Sequence, residues 1–278
     1  MVVARLVVQF LVAVEMIPVS YYAPDELTSP KFAYAFAKGC HGSMTTADVL
    51  PEHLRIDGRR LGAAPVAFFG SPSQWPVLRK AQAVGRDWYY GDHAYFGRKT
   101  FYRITRNAYQ HDGTGDVGPE RFAAFGREVQ PWRASGGHVL VCPNSNIHFA
   151  LHGEDGDLWL KQVIATLRTV TDRPVRVRWK RGNRVRIIED LKDAWAVVVY
   201  SSAAALDALI AGVPVFVTAP FAAAYRMGLA DVQSIESPIY PDGREPFLWN
   251  LAAHQWTLSE IYRGMAWRSL TAEVPLAA

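Results

Sequence analysis

The chain has 278 residues, half of them hydrophobic, so it can bury one large core or two smaller ones. Its net charge of +4 and isoelectric point near 9.1 are compatible with a polyanionic partner without requiring one. The two cysteines, Cys40 and Cys142, lack metal-ligand spacing; they exclude a disulfide scaffold and fit a reducing cytoplasm.

The opening MVVARLVVQFLVAV is apolar, but it is short for a membrane span, is interrupted by Glu15 and leads to no clear cleavage site. Leu6 to Val19 is read as containing the first buried strand, which Ile17 to Tyr22 completes. Ser29-Pro30 opens a helix reaching about Lys38, and Gly39 to Ser43 follows as a turn. Pro65 to Gly70 reads as a strand, Trp75 to Val84 as a helix and Asp87 to Tyr90 as a strand.

Directly after that strand stand Asp92 and His93. A carboxylate beside an imidazole at a strand end is a candidate general base toward a hydroxyl, one group orienting the other. Downstream, Arg98, Arg103 and Arg106 alternate with aromatics including Tyr102, a pattern that suits phosphate contacts and stacking on a nucleic acid or sugar, or else a solvated hairpin. The Pro- and Gly-bearing stretch Gln130 to Gly137 marks a boundary, dividing the chain into residues 1–135 and 136–278.

In the second part, His138 to Cys142 is a strand ending in the polar turn that carries Asn144 and Ser145. Leu158 to Val170 is an amphipathic helix, Pro174 to Trp179 a strand closed by Lys180 and Arg181, and Ile188 to Asp193 a short helix. Trp195 to Tyr200 is a valine-rich buried strand. Ser201 and Ser202 then lead into the helix Ala203 to Ala211, which Gly212 ends before the strand Val215 to Val217. Alternation of this kind predicts a parallel, doubly wound sheet with ligand-binding turns at the carboxyl ends of its strands. The polar groups Asn144, Ser145, Lys180, Arg181, Ser201 and Ser202 converge on that edge and suit a nucleotide phosphate; neither GxGxxG nor GxxxxGK[ST] is present. Beyond Ala219, a proline-rich loop precedes two helical stretches, Leu248 to Trp256 and Leu258 to Trp267, which could cross back onto the first part.

The segment SSAAALDALIAGVPVFV, Ser201 to Val217, resembles the donor-site segment of GT-B glycosyltransferases and, more distantly, of capsule-polysaccharide transferases. The resemblance implies two Rossmann-like domains facing across a cleft. Residues 1–135 would form the acceptor side, and 136–278 would bind a nucleotide sugar of the UDP-glucose type. It further implies that Asp207 meets the donor ribose and that Ser201 and Ser202 meet the phosphates. RWKRG, Arg178 to Gly182, stands where capsule-type enzymes carry a Lys-Pro-His-Pro-like segment.

Two further segments, Asp92 to Gln110 and Asn250 to Trp267, resemble parts of bacteriophage glycosyltransferases. Their likeness implies a hexosyltransferase acting on 5-hydroxymethylpyrimidine in double-stranded DNA, with Asp92 and His93 catalytic and Arg98, Tyr102, Arg103 and Arg106 binding the acceptor. A capsule or lipopolysaccharide acceptor is the alternative, and a non-enzymatic nucleic-acid-binding protein a further one. The expected enzyme needs no metal or other cofactor, has no membrane partner and works in the cytoplasm, that of the host if phage-encoded.

Overall fold

A computed structural model describes residues 18–24, 27–46, 65–68, 72–83, 85–179 and 186–272. The fold is mixed α/β and holds two sheets.

The first sheet begins with β1 (Val19–Tyr22), β2 (Ser43–Thr46), β3 (Pro65–Phe68) and β4 (Tyr89–His93), which run parallel in the order β2-β1-β3-β4. Parallel neighbours need crossover connections. Helix α1 (Ser29–Gly39) supplies one between β1 and β2, and α2 (Trp75–Ala83) lies between β3 and β4. Strand β5 (Phe101–Arg106) then turns back antiparallel on β4.

After the short helix α3 (Glu120–Ala123) the chain reaches the second sheet. Its strands are β6 (His138–Cys142), β7 (Val175–Val177), β8 (Ala194–Val199), β9 (Val215–Val217) and β10 (Gly228–Leu229), all parallel in the order β10-β9-β8-β6-β7. The helices α4 (Asn146–Leu151), α5 (Gly156–Val170), α6 (Ile187–Leu191) and α7 (Ala204–Ile210) connect them. Val139, Leu140 and Val141 of β6 and Ala196, Val197, Val198 and Val199 of β8 are at most 1% exposed, because a parallel strand covered on both faces is apolar throughout.

The stretch Gln130 to Gly137 is pinned rather than loose. The N–H groups of Gln130 and Arg133 donate to Ile210 and Gly212, and Arg244 donates to Gln130 and Leu209 carbonyls. Gly212 has φ +74°, and a Cβ there would lie 1.9 Å from the Pro131 carbonyl oxygen. Gly243 shares that φ with nothing within 4 Å. Gly212→Ala is therefore expected to cost about 2–4 kcal/mol, strain plus collision, and Gly243→Ala only about 1–2 kcal/mol. Paired denaturant titrations check the difference.

Helix α8 (Arg244–Ala253) packs Phe247, Leu248 and Leu251 into a core shared with Leu209 of α7, Val217 of β9 and Tyr95, Phe96 and Phe122 of the first half. The chain then returns. Strand β11 (Gln255–Thr257) pairs antiparallel with β5, so the sequence reading of Leu248 to Trp256 as one helix is corrected at its end. The Gln255 side chain is fully buried, accepting from Phe96 N at 3.1 Å and donating to Phe96 O at 3.0 Å.

Helices α9 (Leu258–Tyr262) and α10 (Met265–Ala272) cover α1, burying Ile261, Ala266 and Leu270 against Phe32 and Phe36. Gly264, at φ +74°, divides what the sequence suggests as one helix, and its own Cβ would meet Gly39 O at 2.6 Å. A Cβ on Gly39 would likewise meet Ile261 O at 2.1 Å, so α1 and the returning segment meet backbone to backbone. Among the described residues no helix is long and apolar enough to cross a membrane.

Candidate active site

The second sheet reverses its strand order at β6, since β7 lies on one side of it and β8 on the other. The crevice beyond the carboxyl ends of β6 and β8 is where open α/β sheets take ligands. Here the turns Pro143 to Ser145 and Ser201 to Ala203 open onto a cleft of about 920 Å³ whose opposite wall includes Asp92, Arg98, Arg103 and Arg127.

Strand register determines what the first sheet presents. Asp92 lies opposite Arg103, and His93 opposite Tyr102. Cross-strand partners share a face, and successive residues point to opposite faces. Asp92 therefore meets the Arg103 guanidinium at 2.5 Å, while the His93 ring stacks on Tyr102 with centroids 6.2 Å apart. The two side chains thus leave the strand on opposite faces, and both residues line the cleft. The His93 N–H also donates to Asp92 Oδ1 at 2.6 Å.

Arg103 is 6% exposed and saturated with acceptors: Asp92 Oδ2, His93 O at 3.1 Å, Tyr95 Oη at 3.2 Å and Tyr109 O at 3.1 Å. Burial of Asp92 opposes its charge, but the Arg103 guanidinium outweighs it and holds the carboxyl below the usual range.

The four residues expected to bind the acceptor do not share one face. Tyr102 is 8% exposed and packs in the core against Phe32, and Arg103 is interior. Arg106 forms an ion pair with Asp87 at the far end of β5. These side chains alternate between faces because β5 is an extended strand, held between β4 and β11. Of the four, Arg98 lines the cleft as an exposed cation, and Arg103 is present on its wall through the pair with Asp92.

On the opposite wall, Ser201 is 4% exposed and engaged at every polar atom. Its N–H donates to Asn144 Oδ1 at 3.0 Å, its hydroxyl lies 2.7 Å from His148 Nε2, and its carbonyl accepts from Gln110 Nε2 at 3.1 Å. Ser201 thus braces the turn, and the adjacent Ser202, half-buried, lines the cleft with it. Ser202 Oγ accepts from Ala204 N at 3.3 Å. Ser145 caps α4 through His148 N at 3.3 Å. Asp207, in the first turn of α7, pairs with Arg127 at 2.6 Å. Lys180 and Arg181 lie outside the described residues.

His148 was not among the residues singled out from sequence. It sits one helical turn before His152 in α4 and the turn that follows, just past a polar strand-end turn, and that spacing was its only advance signal. Burial pushes His148 down to about 4. Burial and then the neighbouring His148 push His152 down to about 3, with its ring stacked on Phe221 at 3.9 Å. His111 is likewise pushed down to about 4 by burial and by His254.

Between those values and the ordinary 6.5 the unfolded chain binds more protons than the folded one. The associated stability is fully present above 6.5 and is lost as pH falls toward about 4. Melting temperatures should drop across that interval, and His152→Phe should flatten the profile, which melting curves through the range check. Among the described residues no group of three or more His, Cys, Asp or Glu is placed to hold a metal ion.

No family model matches the sequence, and no curated protein matches it. Among the solved structures that share the architecture are two of one protein. One is described as Thermosulfurimonas dismutans KpsC, beta Kdo 2,4 transferase, at 13% identity and TM-score 0.54, covering 87% of this chain and 92% of that one. The other is Thermosulfurimonas dismutans KpsC, beta Kdo 2,7 transferase, at 10% identity and TM-score 0.52, covering 91% and 99% respectively. At such identity the likeness establishes the fold: over nearly its whole length the chain follows the same α/β plan as these two structures.

Proposed function

We propose that the protein is a glycosyltransferase of GT-B-like arrangement, moving a sugar from a nucleotide-activated donor to a hydroxyl of a glycan acceptor. The observation that carries this reading is the cleft itself. A carboxylate held ionised, Asp92, faces the strand-end turns at the order reversal of a parallel sheet across a space large enough for a nucleotide sugar. The two structures of like fold are named as transferases of a sugar, which supports the same reading.

In this scheme the halves on either side of residue 135 supply the acceptor and donor walls. Ser202 and the Asn144-Ser145 turn hold the donor, and Asp207 meets its ribose after parting from Arg127. Asp92 acts on the reacting centre, accepting the acceptor's proton or stabilising positive charge that develops on the sugar. A carboxyl below its usual range is a weak base but a permanent charge, so the second contribution is the larger. The glycan acceptor is favoured over DNA because Tyr102 and Arg103 are interior and Arg106 is paired, which leaves no stacking face over Arg98 to Arg106.

The test is a panel of nucleotide sugars, neutral hexoses and sugar acids alike, offered with glycan and with hydroxymethylated DNA acceptors, followed by mass spectrometry of both. Transfer to none of them removes the proposal. Ser202→Ala should weaken donor binding by about 1–3 kcal/mol, as calorimetry would show, with the fold intact and the melting temperature lowered only by the lost bond to Ala204 N.

A further inference from the structure

The arginines of the cleft are not equivalent. Arg103 is matched by Asp92, Arg127 by Asp207, and Arg178 by Asp190. Arg98 is in no ion pair among the described residues; its one protein partner is the Ala94 carbonyl, which takes Nε–H at 3.2 Å. The carboxylates whose charge it feels, Asp92 and Asp207, are already committed to other arginines. Among the described residues the centre of the cleft therefore holds one more cation than its carboxylates balance.

The position of Arg98 is built. It stands in the turn between β4 and β5, where Gly97 has φ +63° and its carbonyl accepts from Thr100 N at 2.9 Å and Phe101 N at 3.0 Å. A Cβ on Gly97 would come within 2.8 Å of Phe125 and 2.9 Å of Phe101, so the turn is seated directly on aromatic rings. With Nε tethered to Ala94, the two terminal NH₂ groups are left for a ligand in a planar fork that matches a carboxylate or two oxygens of a phosphate.

We infer that Arg98 is the anion-binding residue of this cleft, gripping a negatively charged oxygen pair of the bound substrate: a phosphate of the donor, or a carboxylate on a transferred or accepting sugar. The inference rests on the transferase reading for the identity of the ligand, and on the charge balance of the cleft for the existence of the site.

The experiment is calorimetric titration of the intact protein with matched pairs. The four common nucleoside monophosphates are set against their nucleosides, and glucuronate against glucose. In the wild type at least one anion should bind about tenfold or more tightly than its neutral counterpart, the discrimination expected of a charged hydrogen bond. Arg98→Gln should erase that preference while leaving affinity for the neutral partner and the melting curve as they were. Arg98→Lys should restore only part of it, since an ammonium lacks the fork.

A preference in the nucleotide pairs places the phosphate at Arg98, and one in the glucuronate pair places a sugar carboxylate there. A preference that survives in Arg98→Gln overturns the inference, and so does a wild type that separates no anion from its neutral counterpart. Neither readout uses turnover. A protein that grips an anion through Arg98 yet transfers no sugar would keep this site and lose the proposed function, and sugar transfer with an unaltered anion preference in Arg98→Gln would do the reverse.

Discussion

Replacing Arg103 by alanine should lower the unfolding free energy by about 3–5 kcal/mol, the range found when one member of a buried ion pair is removed and the other is left behind. The size follows from what the guanidinium serves. Asp92 would lose its counter-charge, and His93 O, Tyr95 Oη and Tyr109 O would each lose a donor. Lysine should rescue little, because one ammonium cannot reach four acceptors spread around a planar fork. Asp92→Asn combined with Arg103→Met should be less damaging than the sum of the single changes, because no uncompensated charge remains. Denaturant titrations of the four proteins close the cycle. An Arg103→Ala variant within about 1 kcal/mol of wild type would mark the pair as a solvated one of the surface kind.

The second large effect concerns turnover. On the transferase reading, Asp92→Asn should reduce single-turnover sugar transfer by about 10²–10⁴-fold at saturating donor, with donor affinity little changed. Asparagine can still accept from His93 N, but it neither takes a proton nor balances Arg103. Melting curves must accompany the rates, so that loss of fold is not mistaken for loss of chemistry. Because Arg103 keeps the carboxyl below its ordinary range, Asp92 should stay ionised, and its contribution to rate constant, down through mildly acidic pH. Rates that fall between about pH 7 and pH 5 would report another group. A near-wild-type rate in Asp92→Asn would move the chemistry to His148 across the cleft.

The second sheet was legible because its signals are local. Ala194 to Val199 and His138 to Cys142 are apolar runs closed by polar turns, and both turns open on the cleft as expected. What was not legible depends on partners far along the chain. Arginines among aromatics read as a surface stripe, but Arg103 is interior because Asp92, eleven residues earlier, is its register partner. The same register separates His93 from Asp92, a consequence of strand alternation that a predicted end at Tyr90 concealed. Ser201 lines the cleft as read from sequence, but its bond to His148, 53 residues away, could not be read there. Gln255 and Trp256 passed for helix because a three-residue strand carries no periodicity, and only the open edge of β5 makes Gln255 to Thr257 a strand.

That last strand has a bearing on how the molecule comes into being. During synthesis on the ribosome, β4 and β5 emerge long before the segment that completes their sheet. The edge of β5 and the face of α1 must wait for about 150 more residues, among them all five strands of the second sheet. An isolated fragment ending near residue 135 would expose that waiting edge and the rings of Phe32 and Phe36, which invites intermolecular strand pairing. Separately expressed halves should therefore yield insoluble material for the first, and attempts to dissect the protein would do better to excise the second sheet between the linker at Gln130 and the return at Gln255, leaving the closing strand attached to the sheet it completes.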